Sequence, residues 1–556
     1  MFDHNTIFRI LSFMIVRSLL VLFAVLCMPW NVIHGQDAWF YLRAKDTLFS
    51  PSFQEGQGPM VYAGGDEELR DVLGRYKIYD FKKTFKKARK EDLKKTFFVR
   101  ANSKELMDEL LREADHIFEF GELIPEDDQK IFEPNDYGLT STIGENMGLP
   151  IYLDYLDFLG VPNAWYYTTG NRDVFIGISD GAVDTTDIEF KGKTKVYRQS
   201  SLSRGHGISQ AANAAAQGNN GYGMPGVCYD CSIAATTYGD HKNLYQLLEL
   251  SRAGVRVINC SWVGTRYYQT AQDAIDEMFE NGTIVVASAG NRDWQKTKGE
   301  LLYYPASYDK VISVSSAMHR YEKVTDNLLT SNKGNPYGEN IRGYVGRTVG
   351  FKEHKIGNPE VVYHVSVATL NPQVDLLAPT VGLFAYSKYT LDDEIWYSPS
   401  ETTSGASPQV SGTIGLMFSL NPCLPVDEVE SILKCASWNI DHIEANKVFA
   451  GNYGAGMLHT GRAVKLVHDL YNPEEVAFIE NQQFSRWDFK LRAFSKEVRM
   501  RNQKFTDSST LSLTAKNRVI LGPNTILKPD TNGSMVIAID PNMEKECELR
   551  LREKTE

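Results

Sequence analysis

The chain has 556 residues, of which 42% are hydrophobic and 23% are charged, and its formal net charge is −11. This length is too great for one ordinary domain, and the composition is that of a globular protein rather than a disordered or fibrous one. The negative charge argues against nucleic acid as a partner, and the sequence shows no basic groove interleaved with aromatic residues.

The first 36 residues are typical of a secretory signal. Arg17 precedes an apolar run from Leu19 to Met28, which is too short to span a membrane, so no transmembrane helix is predicted here. This interpretation implies export and a cut near Gly35–Gln36. A lipoprotein anchored at Cys27 is an alternative, although Leu26 is larger than the small residue that such sites usually carry.

Residues 37–130 predict a unit of their own, with the element order βαββαβ. Strand-like alternation marks "WFYLRAK", "YKIYDFKKTF", "TFFVRAN" and "IFEFGELIP", and helical periodicity marks "DEELRDVLGRY" and "SKELMDELLREAD". This order is that of a ferredoxin-like fold. The acidic stretch "PEDDQKIFEPNDYG", which follows, is typical of an exposed linker.

Residues 131–474 alternate apolar strands with helices. "DVFIGISD", "VRVINCSWV" and "GTIVVASAG" are near-continuous apolar runs, as expected of strands covered on both faces of a parallel sheet. The sequence therefore predicts a doubly wound α/β domain. The segment of about 320–372 is rich in Gly, Asn and charge and is interpreted as a surface insertion. Residues 475–556 contain short alternating strands broken by Gly, Pro and Asn, which predict a small all-β module.

Six cysteines follow the signal segment, and export permits disulfides. Cys228 and Cys231 predict a local disulfide or two free thiols, because no second pair of metal ligands accompanies them. Cys423 and Cys435 flank a predicted helix and are candidates to pair with each other. Cys547 is expected to be unpaired.

Four polar residues stand at strand ends or helix starts of the α/β domain. Asp180 follows the run "FIGIS", and His206 lies between two glycines ahead of an Ala-rich helix. Asn291 follows the run "IVVASAG", and Ser404 precedes a helix with Pro408 in its first turn. Each residue alone is explained as a turn, cap or surface residue. Together, in the order Asp, His, Asn, Ser, they match the chain order of the subtilisin arrangement.

The sequence around these residues resembles the subtilisin-like serine proteases (subtilases, peptidase family S8). "DGAVDTTDIEF" is similar to the family's Asp box, "GHGISQAANAAA" to its His box and "TTSGASPQVSGTIGLM" to its Ser box, and the resemblance covers roughly residues 135–470. The chain departs from the family's pattern at Gly181, Ser209, Thr380, Thr402, Gly405 and Gln409. None of these departures removes a group that would transfer protons or bind an oxyanion.

The resemblance implies a serine endopeptidase that acts on protein or peptide substrates. Ser404 would be the nucleophile, His206 the general base and acid, and Asp180 the residue that orients the imidazole. Asn291 and the backbone N–H of Ser404 would form the oxyanion hole.

The resemblance also implies which residues bind substrate. The extended substrate is expected to pair with one strand end, formed by Ser261, Trp262, Val263 and Gly264. The P1 pocket is expected to be lined by Ala287, Ser288, Ala289 and Gly290. Arg292 would lie at its rim, which predicts that an acidic P1 side chain is tolerated, although a surface pair with Asp293 is an equal alternative.

Further expectations follow from the family. Residues 37–130 resemble an inhibitor I9-like propeptide that assists folding, inhibits the enzyme intramolecularly and is cut in or near "ELIPEDDQKIFEP". The chemistry requires no cofactor; structural Ca2+ is common in the family, and the sequence assigns it no ligands. We expect a monomer that is secreted to the medium, the cell surface or the periplasm.

Three other functions fit the sequence less well. A catalytically silent binding protein on the same fold usually lacks a triad member, whereas all four groups are present here. An α/β-hydrolase esterase requires Gly-x-Ser-x-Gly, and the nearest match, "VASAG", has Val286 in place of the first Gly. A zinc protease requires His-Glu-x-x-His, which none of the eleven histidines forms.

Overall fold

The computed structural model describes most of the chain between residues 38 and 553. Within that span it does not describe residues 55–58, 85–89, 138–152, 202–203, 366–367, 381–382, 389–394 and 401. The signal segment predicted over residues 1–36 lies outside the described residues. The chain divides into two compact units, Met1–Lys130 and Ile131–Glu556. No helix in the described part of the chain is long and apolar enough to cross a membrane.

The first unit is built on a four-stranded antiparallel sheet. The strands of the whole unit are β1 (Ala38–Ala44), β2 (Phe53–Gln54), β3 (Val61–Tyr62), β4 (Ile78–Lys83), β5 (Thr96–Ala101) and β6 (Phe118–Leu123). Its helices are α1 (Glu67–Gly74), α2 (Glu91–Lys94) and α3 (Glu105–Glu113). The sheet order is β4-β5-β1-β6. The predicted ferredoxin-like fold is thus confirmed. The hairpin of β2 and β3 and the short helix α2 were not predicted.

Alternating burial explains this sheet. Along β1, buried residues alternate with half-buried ones, because successive side chains of a strand point to opposite faces. Phe40 and Leu42 are fully buried and pack in one core with Leu69 of α1 and Leu110 of α3. One face of the sheet is therefore covered by the two longer helices.

The second unit contains a seven-stranded parallel sheet. Its strands are β7 (Phe175–Ser179), β8 (Thr194–Val196), β9 (Ser232–Thr236), β10 (Val257–Cys260), β11 (Ile284–Ser288), β12 (Val311–Ala317) and β17 (Leu376–Pro379). The order across the sheet is β17-β12-β11-β10-β7-β9-β8, with every neighbouring pair parallel. The predicted α/β fold with a mostly parallel sheet is confirmed.

Helices cover both faces of this sheet. They are α4 (Asp154–Phe158), α5 (Val161–Tyr167), α6 (Arg204–Ala215), α7 (Tyr245–Arg252), α8 (Gln269–Glu280), α9 (Trp294–Thr297), α10 (Ser407–Leu420), α11 (Val426–Ala436) and α12 (Thr460–Tyr471). Every residue of β9 to β12 is buried. Val257 packs in one core and its neighbour Ile258 in another, one on each face. Since parallel strands end at a common edge, β7, β10 and β11 bring the residues that follow them close together.

The segment predicted as a surface insertion forms an antiparallel sheet. Its strands are β13 (Leu328–Thr330), β14 (Pro336–Glu339), β15 (Gly346–Phe351) and β16 (Glu360–Val365), paired in that order. Ile341, Val349 and Phe351 form a small core with Ala445. After β17, a separate hairpin joins β18 (Leu383–Lys388) to β19 (Ile395–Ser400).

The C-terminal module is a three-sided parallel β-helix. Its strands are β20 (Val476–Glu480), β21 (Gln483–Phe484), β22 (Asp488–Ala493), β23 (Glu497–Arg501), β24 (Lys504–Asp507), β25 (Thr510–Ala515), β26 (Val519–Leu521), β27 (Ile526–Pro529) and β28 (Ser534–Ile539). Each strand pairs in parallel with the equivalent strand of the next coil rather than with its neighbour in sequence. The all-β prediction is confirmed, and the coiled arrangement was missed.

The coils of this β-helix correspond to a repeat in the sequence. Val476 pairs with Glu497 and Val498 with Val519, a spacing of 21 residues. At one corner of successive coils, Asn481, Asn502 and Asn524 all have positive φ. The side-chain amide of Asn502 donates to Asn481 (3.4 Å), and that of Asn524 donates to Asn502 (2.9 Å). Asn is among the few residues that adopt this conformation easily.

The disulfides differ from the expected ones. Cys228 pairs with Cys231, which is one of the two alternatives that the sequence left open. The suggested pairing of Cys423 with Cys435 is wrong: Cys423 pairs with Cys547, and Cys435 is a buried free thiol. The physical reason is the path of the tail after the β-helix, which returns to the α/β domain and brings a residue 124 positions away beside Cys423.

Candidate active site

Asp180 lies at the carboxyl end of β7 and is fully buried. Its Oδ1 accepts hydrogen bonds from the N–H of Gly181 (2.5 Å), from Nδ1 of His206 (2.8 Å) and from the hydroxyl of Tyr238 (3.0 Å). Its Oδ2 lies 3.0 Å from the same Nδ1 of His206. These donors hold the carboxylate in one orientation.

His206 lies in the first turn of α6, and its side chain is 40% exposed. Burial alone would lower the pKa of His206, but the hydrogen bond and charge of Asp180 outweigh it and raise the pKa above the ordinary value of 6.5. The close approach of α6 to β7 requires glycine next to His206. A Cβ on Gly207 would lie 2.1 Å from the carbonyl oxygen of Gly181.

Ser404 lies in the helical turn Thr403–Gly405, immediately before α10. It is 7% exposed, and its hydroxyl donates to the carbonyl of Ser261 (3.4 Å). Among the described residues no hydrogen bond joins Ser404 to His206. Such hydrogen bonds often tighten only when substrate binds.

Gln409 supports the turn that carries Ser404. This buried side chain donates from Nε2 to the carbonyl oxygens of Gly405 (2.7 Å) and Pro379 (2.8 Å). Gln409 is one of the positions where the sequence departs from the family's pattern. Its amide ties the first turn of α10 to the end of β17, so the departure leaves the turn firmly held.

Asn291 lies just beyond the end of β11 and faces the same turn. Its Oδ1 accepts hydrogen bonds from the N–H (3.0 Å) and the hydroxyl (2.9 Å) of Thr403. The amide is thereby oriented, and its Nδ2 has no partner among the described residues. This group can therefore donate to an oxyanion formed at Ser404.

The four residues expected to pair with substrate follow β10, and the structure divides their roles. Ser261 is buried, and its hydroxyl donates to the carbonyl of Ser404 (2.9 Å), so its side chain supports the turn that carries Ser404. The backbone of Gly264 exchanges two hydrogen bonds with Tyr304 (2.6 and 2.9 Å). Val263 has no backbone partner in the described part of the chain and can pair with a substrate strand. Trp262 is buried beside Tyr238.

The residues expected to line a P1 pocket lie at the end of β11. The side chains of Ala287 and Ala289 are buried in hydrophobic cores, and Ser288 is buried in the strand. Gly290 has φ +101°, and a Cβ there would lie 2.4 Å from the ring of Tyr303. Gly290 is thus the member of this group that lies against the aromatic side chain.

Arg292 and Tyr303 lie together beyond Gly290. Nε of Arg292 donates to the hydroxyl of Tyr303 (3.2 Å), and its backbone N–H donates to Thr369 (3.2 Å). Tyr303 is 6% exposed, so its ring fills the space against Gly290. Arg292 itself is exposed, which places its charge at the surface of this region.

Three side chains that hold this site together were not predicted from the sequence: Tyr238, Tyr303 and Gln409. Gln409 was noted only as a departure from the family's pattern. No local signal marks the two tyrosines, because each makes its contact across the fold, over 58 residues between Tyr238 and Asp180 and 11 between Tyr303 and Arg292.

Metal binding has no assigned site. Among the described residues, no group of three or more His, Cys, Asp or Glu side chains is placed to hold a metal ion. Structural Ca2+ thus remains an expectation drawn from the resemblance.

Comparison with known families agrees with this geometry. The family model Peptidase_S8, described as the subtilase family, matches residues 171–456. The chain belongs to the subtilase family. The matched segment contains Asp180, His206, Asn291 and Ser404, so this subtilase carries all four polar groups inside its family domain.

Several relatives of this subtilase are known. Subtilisin DY from Bacillus licheniformis is 25% identical over 53% of the chain and 91% of its own length. Thermitase from Thermoactinomyces vulgaris is 27% identical over 46% of the chain and 79% of its length. The thermophilic serine proteinase of Bacillus sp. (strain AK1) is 30% identical, but only 42% of its length is spanned. Fervidolysin from Fervidobacterium pennivorans, described as a keratinolytic enzyme related to subtilisin, matches 79% of this chain and 62% of its own at 17% identity, with a TM-score of 0.42.

Proposed function

We propose that this subtilase is a serine endopeptidase that cleaves peptide bonds through an acyl-enzyme intermediate. The observation that carries the proposal is the 2.8 Å hydrogen bond from Nδ1 of His206 to buried Asp180, at the sheet edge that also bears Ser404 and Asn291. This bond favours the tautomer in which Nε2 of His206 is unprotonated and can accept a proton.

In the first half-reaction, Oγ of Ser404 attacks the peptide carbonyl while Nε2 of His206 takes its proton. The carbonyl oxygen becomes an oxyanion, which accepts a hydrogen bond from Nδ2 of Asn291 and from the N–H of Ser404. The C–N bond then breaks, and His206 returns the proton to the leaving amine. The product is an ester between Ser404 and the acyl half of the substrate.

In the second half-reaction, water attacks this ester. His206 accepts a proton from the water and delivers it to Oγ of Ser404 as the ester bond breaks. Asp180 keeps the imidazole oriented and stabilises its charged form in both steps without itself becoming protonated.

We propose further that the substrate binds as an extended strand. The unpartnered N–H and C=O of Val263 support pairing at that residue, whereas those of Gly264 are engaged by Tyr304. The Tyr303 ring and the charge of Arg292 support a P1 side chain that is small or acidic. A peptide library varied at P1 should show Asp or Glu favoured in the wild type. That preference should be lost in Arg292→Ala and kept in Arg501→Ala, a surface control on the β-helix. No gain for Asp or Glu would exclude the acidic preference.

We also propose that the enzyme is made as a zymogen, with residues 37–130 as a propeptide, and is secreted. The confirmed ferredoxin-like fold of the first unit supports the propeptide, and two disulfides fit an exported protein. Named relatives include extracellular proteases as well as a major intracellular one. Intact masses of residues 37–556 test this: the wild type should lose about 90 residues from its N-terminus, and Ser404→Ala should stay whole.

Turnover of a denatured protein tests the main proposal. Wild type and Ser508→Ala, an exposed serine of the β-helix, should cleave casein at similar rates. Ser404→Ala should lose at least 1,000-fold in kcat. Equal turnover by wild type and Ser404→Ala, or none by the wild type after propeptide removal, would favour a binding protein on this fold.

A further inference from the structure

Tyr238 lies in the loop after β9, and its side chain approaches both Asp180 and His206. Its hydroxyl donates to Oδ1 of Asp180 (3.0 Å) and lies 3.4 Å from Nδ1 of His206. The same oxygen of Asp180 therefore accepts hydrogen bonds from both His206 and Tyr238. A neutral hydrogen bond to a buried carboxylate is stronger than one made in water, because the local dielectric constant is low.

The Tyr238 side chain is itself fixed in place. Nε2 of Gln246 donates to its backbone carbonyl, and its ring packs edge-on against Trp262, with 6.3 Å between ring centroids. Trp262 in turn donates from Nε1 to Ser179, the last residue of β7 (3.1 Å). The phenol is thus anchored to the strand that carries Asp180 and to the residues that follow β10.

We propose that Tyr238 is a positioning residue. Its hydroxyl holds the Asp180 carboxylate in the orientation that faces His206 and stabilises the negative charge of that carboxylate. The inference rests on the proposed protease function. The hydrogen bond from Tyr238 occupies the same oxygen of Asp180 that His206 uses, and it weakens the attraction between that oxygen and His206. The imidazolium form of His206 is therefore less stable than it would be beside Asp180 alone. His206 is thereby neutral, and able to act as a base, over a wider pH range.

The groups around the pair are consistent with this role. Burial, and then the charge of Asp180, raise the pKa of Tyr238, so the phenol stays a donor throughout the working range. Among the described residues, Cys260 is a further titratable group near Asp180, and its pKa is also raised, by burial and then by the charge of Asp180. Both groups are neutral near pH 7, so neither competes with Asp180 as an anion.

Tyr238→Phe removes the hydroxyl and keeps the ring. We expect kcat to fall roughly 5-fold or more, with KM nearly unchanged, because the loss is of one hydrogen bond that orients the base. We also expect the acid limb of the kcat/KM profile to move to higher pH by a few tenths of a unit. Without the hydrogen bond from Tyr238, the Asp180 carboxylate stabilises the imidazolium of His206 more strongly. The matched control is Tyr453→Phe, which removes a tyrosine hydroxyl bonded to Asp441 (2.7 Å).

The His206 pKa is measured in parallel by NMR titration of the full chain carrying 15N-histidine, which does not depend on turnover. An upward shift in Tyr238→Phe but not in Tyr453→Phe supports the proposal. A lowered kcat or a raised KM with an unchanged His206 pKa would mean that Tyr238 only supports the fold, and would overturn it. If the wild type cleaves no peptide, the protease function fails separately, and the titration alone decides the role of Tyr238.

Discussion

Arg492 of the β-helix donates from Nε to Oε1 of Glu428, at a distance of 2.5 Å. Glu428 lies on α11 of the α/β domain and is fully buried, and its second oxygen accepts a hydrogen bond from the hydroxyl of Tyr471 (3.0 Å). The contact joins the C-terminal coils to a helix of the α/β domain. Burial raises the pKa of Glu428 despite the opposing hydrogen bond and charge of Arg492.

Arg492→Ala should therefore destabilise the fold by about 2 kcal/mol, because it leaves a buried carboxyl without its cation. This value lies below that for a fully buried pair since the Arg492 side chain is 35% exposed. The loss should be larger at pH 8 than at pH 5: a carboxyl whose folded pKa is raised costs stability as pH rises above its unfolded value. Urea unfolding at the two pH values measures this.

The neighbouring pair of Lys490 and Asp427 provides the control, since its lysine is 55% exposed. Lys490→Ala should cost less than 1 kcal/mol at either pH. Equal losses in the free energy of unfolding for Lys490→Ala and Arg492→Ala would mean that the buried contact of Arg492 with Glu428 stabilises the fold no more than an exposed pair does.

Gly207→Ala should reduce kcat/KM on the order of 100-fold, because α6 must move away from the Gly181 carbonyl and His206 moves with it. The effect should fall on kcat rather than on substrate affinity. Steady-state kinetics, with a thermal melt to show that the variant is folded, test this. Wild-type kcat in a folded variant would mean that the closeness of Gly207 and Gly181 does not position His206.

Asp180→Asn should lower kcat roughly 10,000-fold, because the imidazole loses its orienting acceptor. It should also shift the acid limb of kcat/KM to lower pH. The hydrogen bond and charge that raise the pKa of His206 are then removed, while the burial that lowers it remains. Values of kcat/KM measured between pH 4 and 9 test this shift. An acid limb that stays at the wild-type position would contradict the pairing of Asp180 with His206.

Asn291→Ala should lower kcat by about 100- to 1,000-fold and leave KM within a fewfold of the wild type, since the amide acts on charge that exists only in the transition state. Asn358→Ala, in the loop between β15 and β16, should be silent because the side-chain amide of Asn358 donates to the carbonyl of the exposed Lys352, in the insertion sheet's own loop. A rise in KM with unchanged kcat would instead make Asn291 a ground-state binding residue.

Peptide mapping without reduction should find Cys423 linked to Cys547 and should find Cys435 free. Cys547→Ser should then lower stability by up to about 4–5 kcal/mol, the chain-entropy value for a loop of this length. Cys435→Ser should remove no cross-link. A linkage between Cys423 and Cys435 would contradict the path of the C-terminal tail.

The sequence predicted those parts of the fold whose pattern is local. Apolar runs such as Val257–Cys260 mark buried strands by themselves, and the order of strands and helices then limits the topology. The β-helix was missed because its strands alternate like those of hairpins, and only the 21-residue spacing of Val476, Glu497 and their partners separates the two. The link from Cys423 to Cys547 depends on that coil, so it could not be read from spacing.

Within the candidate site, the sequence indicated the residues that follow strand ends, Asp180 and Asn291 among them. It could not show that Ser261 supports Ser404 or that Gly264 is bonded to Tyr304, because these contacts are set by packing between distant segments. The same holds for Tyr238, whose role becomes visible only when the loop after β9 is placed beside β7.

The most direct test of the central claim is covalent labelling of the mature enzyme with a fluorophosphonate, followed by peptide mapping. The account predicts one adduct, on Oγ of Ser404, that forms rapidly in the wild type and is lost in His206→Ala, because only a serine activated by a neighbouring base reacts. An adduct on another residue, or no adduct on a folded and processed wild-type protein, would contradict it.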